Sequence, residues 1–151
     1  MAGGTTVELA MHALFQLCVP AVSGGAYSQT FPAELIVALT DEERIENQID
    51  KKVESYRIKS DDGFILFQVE IPYCMIITAD GNPSDAIAPF KRRLADLGGK
   101  VVTDEDTDEH HNITGEVGLT DGAMISIILA TRKETDAQGF YGSASMWKPK
   151  R

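Results

Sequence analysis

Apolar residues recur at helical spacing in three stretches and at strand spacing in several others. From Val7 to Cys18 nearly every position is apolar, and Glu8, His12 and Gln16 form one polar stripe at four-residue intervals. This predicts a helix capped by Thr5 or Thr6 that ends near Val19, because Pro20 lacks the amide needed to continue it. A helix apolar on so many sides needs cover on several of them. A second helix is predicted from Thr40, where Thr40 and Glu43 match a capping box and Ile45, Ile49 and Val53 follow at four-residue spacing. In a third, Ile87, Phe90, Leu94 and Leu97 share a face, Pro89 suits the first turn and Gly98-Gly99 ends it.

The remaining periodic segments read as strands. Tyr56 to Lys59 alternates, Asp61-Asp62-Gly63 turns, and Phe64 to Ile71 is strand-like. Pro72 interrupts the ladder, so Tyr73 to Thr78 is either a bent continuation or a separate strand. Lys100 to Val102 is short, Ile113 to Leu119 is weak and Met124 to Leu129 is strong, with Asp121-Gly122 as a hairpin signal between the last two. Gly139 to Trp147 alternates small and aromatic residues and reads as a final strand compatible with a sheet edge. Tyr141 and Trp147 share a parity in it and so project from one face. The order predicts an α+β fold, an antiparallel or mixed sheet with an N-terminal apolar helix and two further helices packed on it. Residues 5–147 form the domain, Met1 to Gly4 read as a leader remnant or added sequence, and 148–151 as a basic tail. No internal repeat is visible.

Composition narrows the partners. With 151 residues and 43% apolar content the chain can bury a real core. Its net charge of −9 disfavours a phosphate-neutralising nucleic-acid binder, and no stretch reaches the length of a membrane span. A protein partner or self-association is expected instead. Residues 9–22 resemble a signal-peptide core, but Met1 to Glu8 lacks the usual basic start, so residues 5–19 read as a structural helix.

Cys18 and Cys74 are the only cysteines. One ends the first helix and the other opens a β-rich run, so a bridge would pin helix to sheet and imply an oxidising compartment. The alternative is two reduced cysteines acting as small buried hydrophobes.

Candidate chemistry is sparse. Asp104 to Asn112 concentrates carboxylates with His110 and His111, but Glu109 and Gly115 stand where an EF-hand loop needs Gly and Glu. Adjacent histidines on a strand would face opposite ways. A solvated loop is expected there, with a metal site as the alternative. His12, beside Glu8, reads as an ion-paired or partly buried side chain. Ser23, Ser28, Ser143 and Ser145 lack a nucleophile-elbow setting, and apolar surroundings raise a thiol's pKa rather than activate it. Asn112-Ile113-Thr114 matches a glycosylation triplet without other support. No catalytic residue, metal ligand or cofactor is assigned. The candidate binding residues are Leu9, His12, Leu14 and Phe15 on the first helix, followed by Tyr141 and Trp147 on the last strand.

The run Ala13 to Cys18, the strand Cys74 to Ile77 with the helix after Asn82, and Gly122 to Ala130 resemble a group of small exported bacterial proteins of unknown function, of the alphaproteobacterial type. The resemblance covers about half the chain and implies an exported, disulfide-stapled α+β domain without defined chemistry. The leading expectation is a non-enzymatic interaction or accessory subunit of an envelope or secreted assembly, periplasmic or extracellular. Two alternatives stand beside it: a small metal- or ligand-binding protein or enzyme using His110 and His111, and a cytosolic acidic dimer like the chaperones that serve secretion systems.

Overall fold

Eight strands form one antiparallel sheet, in the order β1-β2-β3-β4-β8-β7-β6-β5. They are β1 (Ile36–Ala38), β2 (Glu54–Lys59), β3 (Phe64–Glu70), β4 (Tyr73–Thr78), β5 (Lys100–Asp106), β6 (His110–Gly118), β7 (Met124–Arg132) and β8 (Phe140–Trp147). The structure, a computed structural model, describes residues 5–24, 27, 30–50, 53–60, 63–133 and 138–147. The readings of Met1 to Gly4, of Asp61-Asp62 and of the basic tail lie outside these residues. The chain follows one plan twice: a helix precedes β1 to β4, another precedes β5 to β8, and the two halves join where β4 pairs with β8. The α+β class and the antiparallel arrangement expected from the sequence are those observed.

The first helix is longer than its pattern predicts. α1 (Thr6–Ala13) passes into a π-helical turn (Leu14–Cys18) and then into α2 (Val19–Val22). Thr5 caps it through its hydroxyl, which accepts from the Glu8 amide at 3.2 Å. Within the π-helical turn the Val19 amide donates to the Leu14 carbonyl, five residues back. Pro20 has no amide, and in an α-turn its ring would press on the carbonyl four residues earlier. The wider turn removes that clash, and the rod continues through Pro20 instead of stopping at Val19.

This rod lies against β4 and β8, with α4 (Ile87–Asp96) packed beside α1 and against β5. Leu9, Ala10, Met11, Ala13, Leu14, Phe15, Leu17 and Cys18 are all buried. Phe15 meets Phe90 of α4 edge-on at 5.6 Å, and His12 meets Phe31 likewise at 5.2 Å. Small residues on the sheet allow the approach: a Cβ on Gly142 would stand 3.0 Å from a Leu14 methyl. Cys18 and Cys74 reach each other here, with Cα atoms 5.2 Å apart and sulfurs 2.08 Å apart, within bonding distance.

Two elements depart from the sequence reading. α3 (Asp41–Glu46) has the expected Thr40–Glu43 capping box, but it is six residues long and buries none of them. Ile45 is 78% exposed, so the isoleucine spacing does not make a core face. β8, read as edge-compatible, lies between β4 and β7; the edges are β1, which the sequence reading did not include, and β5. At its two ends β8 is also tied to the segments flanking β4: the Gly139 amide donates to the Gly81 carbonyl at 2.9 Å and the Met146 amide to the Pro72 carbonyl at 3.2 Å.

The link between Cys18 and Cys74 spans 56 residues of sequence. Loop-closure entropy then gives it a contribution of about 4 kcal/mol. Replacing both cysteines by Ala is expected to lower the unfolding free energy in denaturant titrations by this order, with secondary structure retained. Unchanged stability would contradict the staple. Leu14→Ala is expected to cost about 2–5 kcal/mol, because Leu14 is fully enclosed.

Candidate interaction surface

The two faces of the sheet differ because strand side chains alternate. On β4, Cys74, Ile76 and Thr78 turn to the helices, and Tyr73, Met75 and Ile77 turn away. The register carries this alternation to β8, where Tyr73 pairs with Ser145, Met75 with Ser143 and Ile77 with Tyr141. It reaches β7 through Ser126 opposite Ser145, Ile128 opposite Ser143 and Met124 opposite Trp147. Over these three strands the open face carries no helix among the described residues. α3 sits at its β2 margin, where Glu43 and Arg57 form an ion pair at 3.6 Å.

No Asp, Glu, Lys, Arg or His faces outward from β4, from β8, or from β7 between Met124 and Ala130. Charged residues make up 25% of the chain, so a surface of this extent without one is a departure from the rest of the molecule. A concavity of about 430 Å³ lies on this face, lined by Met75, Ile128, Tyr141, Ser143 and Ser145 and, toward β3, by Gln68, Glu70 and Tyr73. A second, of about 360 Å³, lies across Tyr141 and reaches His110, Asn112 and Arg132. At the end of the strands Ile71, Tyr73 and Trp147 are 61%, 60% and 42% exposed.

The sequence-derived binding residues separate accordingly. Leu9, Leu14 and Phe15 are enclosed in the core, so the uncovered apolar side expected on the first helix is corrected. The sheet, α4 and Phe31 cover it. His12 is half-buried against Phe31 rather than paired with Glu8, and its Nε2 is buried without a hydrogen-bond partner among the described residues. Burial, and then the Arg93 charge, push its pKa down, which favours the neutral imidazole. Tyr141 and Trp147 do share the open face, as their parity predicts. Met75, Ile128 and Ser143 were not singled out from sequence. Their alternation was visible, but which parity the helices would cover was not.

The acidic stretch is largely strand rather than loop. Asp104 to Asp106 belong to β5 and His110 and His111 to β6, paired so that Asp106 stands opposite His111. The two histidines face opposite ways: His110 lies 3.9 Å from Glu105, and His111 bonds Asp104. Asp104 also accepts from Lys91 of α4 at 2.9 Å, and Asp106 from Lys133. Among the described residues no three His, Cys, Asp or Glu side chains are grouped to hold a metal ion. No helix of the described residues is long and apolar enough to cross a membrane.

No family model matches the chain, and no curated protein or solved structure matches it either.

The hydrogen bond from Lys91, and then that from His111, hold the Asp104 carboxyl below its ordinary 3.8. A depressed carboxylate pKa stabilises the fold above the unfolded value, and the benefit disappears as pH falls through the lower folded value. Asp104→Asn should therefore melt below wild type at neutral pH, with the gap closing as pH drops through 3.8 and below. A gap unchanged down to acid pH would show that the charge on Asp104 does not matter.

Proposed function

We propose that this chain is a non-enzymatic accessory subunit of an envelope or secreted assembly, exported to the periplasm or beyond, and that it meets its protein partner through the open face over β4, β8 and β7. The observation that carries this reading is the charge-free character of that face in a chain of net charge −9. An acidic protein leaves such a face uncharged where contact with a partner removes it from water, because interface centres are depleted of charge and enriched in aromatic residues and methionine. Tyr73, Tyr141, Trp147, Met75 and Met124 have that composition. The pairing of Cys18 with Cys74 inside the core supports an oxidising compartment. The enzymatic alternative has less support, because His110 and His111 project to opposite faces and each is engaged by a carboxylate.

Two measurements test the reading. Peptide mapping of native protein without reduction should recover the linked Cys18 and Cys74 peptides; complete alkylation of both thiols would return the chain to the cytosolic acidic-dimer alternative. Tyr73→Glu places a charge on the open face at an exposed site, so folding stability should change by no more than about 0.5 kcal/mol. Recovery of partner protein on the tagged chain from its native source should fall sharply with this variant. Equal recovery by both proteins would remove the open face as the contact.

A further inference from the structure

We infer that the open face binds a second copy of this chain in a two-fold dimer, with Trp147 of each copy seated in the concavity between Tyr141 and Ser145 of the other. This rests on the reading of that face as a contact surface and names its occupant.

The knob and the hole lie side by side. Ser145 forms part of the wall of the 430 Å³ concavity, and Trp147 projects from the same strand two residues further on, about 7 Å away. A surface carrying a projecting ring beside a concavity is complementary to itself under a two-fold rotation, since residue i then meets j while j meets i. The chemistry also fits an indole. Met75, Ile128 and Tyr141 give apolar and aromatic walls, and the Ser143 and Ser145 hydroxyls offer acceptors to its N–H. Methionine sulfur against an aromatic ring is a favourable contact.

Charge and area point to the same occupant. Two copies of net charge −9 repel over most of their surfaces, and the charge-free strands β4, β8 and β7 keep like charges out of the centre of the contact. The six strands from β3 to β5 along the sheet, at about 4.8 Å spacing and about 3.3 Å per residue, offer a projected area on the order of 700 Å², with the charge-free strands β4, β8 and β7 at its centre and Glu70 of β3 and Glu116 of β6 toward its rim. A stable interface buries about 800 Å² per partner. The free edges are poorer candidates: β1 has three residues, and β5 is bulged after Val101 and ends in three acidic residues.

Light scattering of the purified full chain over a wide concentration range should show a dimer. Trp147→Ala and Ser143→Arg should each weaken it by about tenfold or more, with circular dichroism and melting like wild type. Mixed together, the two variants should recover part of the association, because one intact knob then meets one intact hole. A monomer at every concentration, or a dimer indifferent to both variants, would overturn the inference. A photo-reactive phenylalanine replacing Tyr73, illuminated in the native source, separates the two levels of the argument. Cross-linking to a second copy supports the dimer. Cross-linking only to a different protein overturns the dimer and leaves the contact reading standing, whereas cross-linking to no protein overturns both.

Discussion

The close seat of the first helical rod on the centre of the sheet is the constraint from which the rest follows. Leu14 approaches β8 so nearly that a Cβ at position 142 would stand 3.0 Å from its methyl and require it to shift, and Ala144 continues the low profile on the same side. Cys18 and Cys74 hold the rod to β4 at the same height. Once β4 and β8 give one parity of side chains to the helices, the other parity is committed to the opposite face. Tyr73, Met75, Ile77, Tyr141 and Trp147 are therefore presented together by the packing behind them. The Phe140 amide, donating to the buried Thr78 hydroxyl at 3.0 Å, secures the register that aligns the two strands.

Charge distribution complements this geometry. The acidic residues of β5 lie on an exposed edge, where ion pairs to Lys91 and Lys133 moderate their mutual repulsion. An edge strand of this composition resists addition of another strand, because unpaired carboxylates and a bulge disrupt the ladder. The centre of the open face has no such protection. The molecule thus guards its acidic edge and leaves the face open, which suits the proposed association through side chains rather than backbone pairing.

Periodicity made much of this fold legible. The apolar run from Val7, the Ile87–Phe90–Leu94 face and the alternation in Met124 to Leu129 each named an element that the structure contains. What was illegible has physical reasons. Pro20 ordinarily ends a helix, and the π-helical turn over Leu14–Cys18 that accommodates it has no signature in the residue pattern. Asp104 to Asp106 look solvated because they are solvated, yet an edge strand can be fully exposed and still be a strand. The isoleucine spacing at Ile45 and Ile49 suggested an amphipathic helix on the surface, but spacing cannot report that its apolar side stays open, as the exposed Ile45 does. The twofold plan of helix and four strands left no trace, since topology repeats without residue identity. Trp147 and Tyr141 were found by parity, while the concavity between them depends on Ile128 and Met75 arriving from neighbouring strands.

The central claim is that protein covers the open face in the native state. Trp147 is the only tryptophan, so its fluorescence reports on that face without labelling. In the assembled protein the account predicts a blue-shifted emission that resists acrylamide quenching, and dilution to the dissociated chain should shift it red and expose it to quencher. Emission of a water-exposed indole, fully quenchable at every concentration and in the native assembly, would contradict the account.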